Sequence, residues 1–277
     1  MPEGDTIHRA ANRLRPALVG QPLVRLDVPR VAAFTRRPPT GTLVTGVDAV
    51  GKHLLVRFAD GSVLRTHLRM TGSWHLYRTG ERWRQPAHLL RALVEVPGWV
   101  AVCFAAPVVS IERDRPSTGR PDAVAHLGPD LAGSDVTDAD IDAAVDRLAA
   151  LAAADEEIGA VLLDQRIACG VGNVYKSEVL WACRVSPFAS VGELDIATRR
   201  RLLATASKLL RANVVTSGPR STHGTGLAVY GRAGQPCRRC GTPVRRRRQG
   251  EHARTTYWCP MCQTDPAAAS SHASAPA

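Results

Sequence analysis

Four cysteines late in the chain constrain it more than any other feature. Cys237-Arg-Arg-Cys240 and Cys259-Pro-Met-Cys262 are separated by 18 residues, within the spacing of a four-cysteine zinc site. Each pair suits a tight knuckle, and the residues between them are long enough for a β-hairpin. Four thiolates in tetrahedral geometry complete the coordination sphere and leave no position open, so a zinc ion held there is structural. It supplies folding free energy to about 40 residues too few to bury a core alone. A redox dithiol is the alternative for a single pair; two matched pairs favour the metal. Cys103, Cys169 and Cys183 have no partner in sequence and read as small core residues.

The intervening segment, TPVRRRRQGEHARTTYW, puts Arg245 to Arg248 and Arg254 on the arms of that hairpin. Strand alternation aims only some of them the same way. They suit a phosphate backbone, although a solvated charge run would account for part of them. The whole chain of 277 residues carries a net charge of +11, which points to a polyanion, nucleic acid before an acidic membrane surface. An arginine-preferring enzyme of another class is the bland alternative. The charge is uneven: residues 1–129 hold 18 basic and 10 acidic groups, 130–159 one and nine, 160–224 nine and four, and 225–263 eight and one. The acidic stretch reads as a boundary and a solvated linking helix, turned away from any polyanion. Of the basic residues only Lys52, Lys176 and Lys208 are lysines. Arginine is a permanently charged fork for phosphates, so each lysine raises the question of what only an amine can do.

With 44% hydrophobic residues the chain can bury a core, which excludes wholesale disorder. The start, MPEGDTIHRAANRL, carries acids where a signal peptide would be basic and then apolar. The longest apolar run, near Trp99 to Val109, is interrupted by Pro107 and too short to span a bilayer. The expectation is a cytoplasmic, nucleoid-associated protein without a disulfide framework.

Thr6 through Val19 has helical spacing. GKHLLVRF-ADG-SVLRTHLRM alternates on both sides of Asp60-Gly61, a hairpin signal. IGAVLLDQRIACGVGNVYKSEVLWACRVSP reads as a helix through Gln165, a glycine-rich turn, and a second helix opening with Asn173 at its N-cap and closing before Pro187. Free amides at such a turn can hold a phosphate oxygen; a plain helix hairpin is the alternative. A further helix spans about 197–215 and carries Arg199, Arg200, Arg201, Lys208 and Arg211.

Five segments occur together in this order: MPEG, GKHLL, HLRMTGSW, LLDQRIACGVGNVYKSE and the C-x2-C…RTTYWCPMCQ end. With them the chain resembles the formamidopyrimidine-DNA glycosylase/endonuclease VIII family of base-excision repair enzymes over residues 1–263, and is closest to actinobacterial endonuclease VIII-like members. The resemblance implies an α+β multidomain fold: an N-terminal catalytic β-sandwich with flanking helices (1–129), a helix-two-turn-helix DNA-binding domain (130–224), a four-cysteine zinc β-hairpin finger (225–263) and a disordered tail (264–277).

It also implies a bifunctional DNA glycosylase/abasic-site lyase that removes oxidised bases, pyrimidines favoured, through an N-terminal proline Schiff base with β,δ-elimination. Loss of Met1 would expose Pro2 as a secondary amine with a pKa of about 8, partly neutral in the cell and able to attack C1′. Glu3 would serve as general acid/base, and Lys52 as the cation assisting base release. Asn173 and Arg254 resemble the family's phosphate ligands. Met70 resembles the wedge that fills the gap left by a flipped nucleotide, with a core side chain as its alternative. The chain departs from many relatives at Asp5 and Thr6, where those carry proline and glutamate, and neither is counted as catalytic. Additional wedge residues have no secure counterpart in ERDRPSTGRPD. One structural Zn2+, damaged DNA as partner, no membrane, and a monomer complete the expectation. A non-catalytic damaged-DNA-binding protein could keep the zinc and phosphate contacts without needing Pro2, Glu3 or Lys52.

Overall fold

The computed structural model describes residues 2–32, 35–114, 121–216, 218–224 and 226–264. Met1, the middle of ERDRPSTGRPD and the expected tail from 265 onward lie outside the described residues. The chain divides into two compact units between His126 and Leu127.

The first unit opens with helix α1 (Gly4–Leu18), which turns Ile7, Ala11, Leu14 and Leu18 inward. Their spacing of three or four residues gives one apolar stripe. Eight antiparallel strands follow: β1 (Arg25–Asp27), β2 (Val44–Val50), β3 (His53–Phe58), β4 (Ser62–His67), β5 (Ser73–Arg78), β6 (Leu90–Val96), β7 (Trp99–Phe104) and β8 (Val108–Arg113). They form two four-stranded sheets, ordered β1-β6-β7-β5 and β2-β3-β4-β8. Leu54, Val56 and Leu64 of one sheet share a core with Val94, Ala101 and Cys103 of the other and with the stripe of α1. This is the sandwich arrangement. At the β3–β4 turn the Asp60 carboxylate accepts from Ser62 N and Oγ at 2.9 and 2.8 Å, and Gly61 takes φ +80°. A short helix, α2 (Asp122–Ala125), ends the unit.

The second unit contains α3 (Asp138–Leu151), α4 (Ile158–Val161), α5 (Asn173–Cys183), α6 (Ile196–Val214) and the hairpin β9 (Arg245–Gln249) and β10 (Arg254–Trp258). Two expectations change here. The helix read through Gln165 stops at Val161. Asp164 and Gln165 take over the backbone beyond it: the Gln165 amide donates to the carbonyls of Leu163 and Val171, and its oxygen accepts from Gly170 N. Side chains that satisfy the backbone locally compete with helix continuation. The acidic stretch is also no mere linker. A Thr137/Asp140 capping box starts α3, and Ile141, Ala144, Val145 and Leu148 enter the core beside Leu203, Ala206 and Leu210 of α6. Only its outer face is solvated.

Candidate functional site

Pro2 is half-buried ahead of α1, and Glu3 is wholly buried at the N-cap position. An N-cap carboxylate ordinarily accepts from the first-turn amides, yet the Glu3 side chain makes no cap hydrogen bond. Asp5 is equally buried, accepts from Thr6 Oγ1 at 3.2 Å, and lies 4.0 Å from Arg9. The two positions that depart from the family pattern thus interact with each other.

Helix α1 packs on β2 and β3. The tight turn between those strands, with Gly51 at φ +57°, carries Lys52. Beside it the His53 and His67 rings meet edge to face at 4.7 Å. His53 Nδ1 lies 3.3 Å from Arg65 Nη1 and His67 Nδ1 lies 3.2 Å from Arg69 N. A guanidinium and a backbone amide only donate, so both imidazoles accept at Nδ1. Burial, then the neighbouring His67, Arg65, His126 and Lys52, lowers His53 to about 3. Burial, then Arg69, Lys52 and Arg65, lowers His67 to about 4. Both rings are neutral at pH 7, so Lys52 stands beside two uncharged imidazoles.

Met70 follows on the turn after β4 and is 61% exposed, which removes the core alternative. Arg69 precedes it at φ +48°. A Cβ at Gly72 would lie 2.8 Å from Leu68 Cα and O. The turn closes only with glycine there, and it leaves the thioether projecting.

In the second unit Gly172, extended at φ −124°, is the N-cap of α5, and Asn173 is the first helical residue. This corrects the N-cap assignment by one position. The Asn173 amide instead reaches across to the hairpin, donating to Thr255 O at 2.7 Å. Asn173 therefore lies beside Arg254, the exposed first residue of β10. The hairpin arginines divide: Arg247 lies 3.0 Å from Glu157 and stacks 3.5 Å above Phe188, whereas Arg245, Arg246, Arg248 and Arg254 are solvent-facing.

The sulfurs of Cys237, Cys240, Cys259 and Cys262 all lie within 4.8 Å of one another, with Cys240–Cys259 at 3.5 Å and Cys237–Cys262 at 4.0 Å. Tetrahedral zinc with Zn–S of about 2.3 Å requires sulfurs roughly 3.8 Å apart, so the donor set fits the ion. Trp181 Nε1 and Arg239 N point at Cys237 Sγ from 3.3 and 3.5 Å, the outer hydrogen bonds a thiolate ligand uses. Hydrogen bonds from Thr242 lower Cys240 to about 6, and burial raises Cys259 to about 12. Four crowded thiols need a cation before all can ionise. Of the other cysteines, Cys103 and Cys169 are buried and Cys183 is half-buried.

Sequence reasoning missed two residues of α5. Glu178, buried, accepts from Thr222 Oγ1 and from the amides of Ala228, Val229 and Tyr230. No local signal announces a carboxylate whose partners lie some 50 residues away. Lys176 is fully buried and donates to Thr256 Oγ1 at 2.6 Å; the scarcity of lysine was its one cue.

Family models described as the formamidopyrimidine-DNA glycosylase N-terminal domain, its H2TH domain, and the zinc finger found in FPG and IleRS match residues 1–104, 127–223 and 234–264. A probable endonuclease 8 2 of Streptomyces coelicolor is 44% identical, across 96% of this chain and 95% of that protein. The DNA-(apurinic or apyrimidinic site) lyase Nei2 of Mycolicibacterium smegmatis is 40% identical over 95% and 99%. Among solved structures, the MutM (Fpg) protein of Thermus thermophilus is similar at a TM-score of 0.74 and 28% identity, covering 95% of this chain and 99% of that one.

Proposed function

Since the chain belongs to the formamidopyrimidine-DNA glycosylase/endonuclease VIII family, and so is a DNA glycosylase/AP lyase of base excision repair, we propose that Pro2, Glu3 and Lys52 carry the chemistry and that oxidised pyrimidines are the favoured bases. The observation that carries the reading is Glu3: a wholly buried carboxylate beside Pro2 at a helix start that it does not cap. Burying a carboxyl is costly, and this one is held at the residue next to the proposed nucleophile.

Once Met1 is removed, the neutral Pro2 nitrogen attacks C1′ while the bond from C1′ to the base breaks. The base leaves with the bonding pair and takes up a proton. Glu3 donates that proton or the one needed at O4′ as the sugar ring opens, and the cation on Lys52 assists base release. Loss of the Pro2 N–H proton restores the nitrogen lone pair, which forms an iminium with C1′ as the C1′–O4′ bond breaks and O4′ takes up its proton. This acidifies C2′; loss of its proton expels the 3′ phosphate, and a second elimination expels the 5′ phosphate. Asn173 and Arg254 hold phosphates flanking the lesion, and Met70 fills the space the flipped nucleotide vacates, offsetting part of the few kcal/mol of unstacking. Zinc supplies folding free energy to the hairpin and takes no part in these steps.

Borohydride reduction on an abasic duplex should trap a covalent adduct whose peptide maps to Pro2, strongly reduced in Pro2→Gly. A wild-type protein that traps nothing, or an adduct undiminished in the variant, refutes the assignment. A panel of single-lesion duplexes, scored for cleavage, tests the pyrimidine preference.

A further inference from the structure

The zinc hairpin meets the helices through a line of buried polar groups. Lys176 Nζ donates to Thr256 Oγ1 at 2.6 Å, and Thr256 Oγ1 donates to Gln249 Oε1 at 2.6 Å. The Gln249 amide donates in turn to Pro187 O at 2.6 Å and Glu157 Oε2 at 2.9 Å. Lys176 and Thr256 are wholly buried and Gln249 nearly so. Even the backbone yields to this line: a Cβ at Gly159 would lie 2.5 Å from Gln249 Oε1 and 2.7 Å from Pro187 O.

On α5, Asn173 and Lys176 are three residues apart and share a face. They bind successive residues of β10, Thr255 and Thr256, and Arg254 is the next residue back along that strand. Burying an ammonium is costly unless it is hydrogen-bonded, and an apolar side chain would pack here without that cost. Arginine, abundant elsewhere, could not replace it: a guanidinium has five fixed donors to satisfy, where the ammonium has three.

We propose that Lys176 is a positioning residue, which through Thr256 fixes the spacing and direction of Arg254 relative to Asn173 so that both meet the DNA backbone together. The proposal rests on the reading of Asn173 and Arg254 as phosphate ligands. A charge-assisted hydrogen bond from Arg254 to a phosphate, lost when that side chain is misplaced, is strong enough that DNA binding should weaken roughly 10- to 100-fold.

The test uses the zinc-loaded full chain and a duplex carrying a reduced abasic-site analogue. In Lys176→Met the dissociation constant should rise by that factor, and the slope of log Kd against log salt should shrink by about one phosphate. The loss should fall on Kd and leave the single-turnover trapping rate at saturating DNA near that of the wild type. Should Lys176→Met fail to fold or lose zinc, Thr256→Val, which is isosteric, replaces it and should lose the same affinity, with Thr256→Ser restoring it. Asn173→Ala and Arg254→Ala serve as references. If these two reduce the slope while the Lys176 and Thr256 variants bind with wild-type affinity and slope, the positioning role is refuted alone. If neither reference changes the slope, the phosphate reading falls and the proposal with it.

Discussion

Replacing Glu178 with glutamine swaps one oxygen for an NH2 group and tests the architecture around α5. The carboxylate divides its acceptors: Oε1 takes Val229 N at 2.9 Å and Tyr230 N at 2.8 Å, while Oε2 takes Ala228 N at 2.7 Å and the Thr222 hydroxyl. The amide is best placed with its remaining oxygen toward Val229 and Tyr230. The Thr222 hydroxyl can then turn and accept, but the Ala228 N–H faces another donor. One charge-assisted bond is lost, costing about 1.5–3 kcal/mol, and two others fall to neutral strength at roughly 0.5–1 kcal/mol each. The lower cost of burying an amide returns part of this. A net destabilisation of about 2–4 kcal/mol follows. Amide hydrogen exchange reads it directly: Ala228, Val229 and Tyr230 should exchange at least about 30-fold faster, with a matching loss in urea unfolding. Exchange at these three amides within twofold of wild type, and a stability change below about 0.5 kcal/mol, would refute the reasoning.

Two further outcomes are expected. Chelating zinc, or Cys240→Ser, should weaken DNA binding while the first unit keeps its fold, because the four thiols hold the hairpin that carries Arg254; unchanged affinity by fluorescence anisotropy would contradict this. Histidine resonances followed by NMR should show His53 and His67 neutral at pH 5.5. With folded values near 3 and 4 against an ordinary 6.5, the unfolded chain binds protons first, so stability is full above about pH 6.5 and declines as pH falls toward 4. Titration of either ring near 6.5 would overturn the burial argument.

What was legible in the sequence was what depends on spacing. The cysteine pairs predict the hairpin because ligand geometry is local to each knuckle. The alternation around Asp60-Gly61 predicts β3 and β4, whose turn is closed by an aspartate two residues from its partner. The family motifs single out Met70, and its exposure agrees with a projecting role. The helix of the acidic stretch is legible, but its acidic neighbours suggest a solvated linking helix and mask the apolar register of Ile141, Ala144, Val145 and Leu148, which enters the core. The early end of α4 had no comparable signal: a glutamine bonding one backbone group before it and two in the following turn looks like any helical glutamine. Long-range polar contacts were the least legible. Glu178 and Lys176 sit in an ordinary helical pattern, and their partners are supplied by segments 44 to 80 residues distant.

The net charge of +11 overstates what DNA can meet, because the arginines form two populations. Some are committed to partners within the protein, even at its surface: Arg247 to Glu157 and the Phe188 ring, Arg239 to the Trp181 ring and carbonyl, Arg65 to Glu112. On α6, Arg200 is held by Asp138 and Asp142 of α3 at 2.9 and 2.7 Å. The acidic helix thus neutralises Arg200 of α6 with its outer face and fills core with the other. Exposed ion pairs of that kind contribute little stability, but they do remove positive charge from the surface on which they stand. Counterion release counts only cations that reach phosphates, about 0.9 ions for each. The salt dependence of binding should therefore follow the uncommitted hairpin set, Arg245, Arg246, Arg248 and Arg254, together with the helix start at Asn173, far more closely than it follows the total charge. By pairing with Arg200, α3 removes one cation of α6 from that competition and leaves the hairpin that Lys176 braces as the densest run of arginines in the unit.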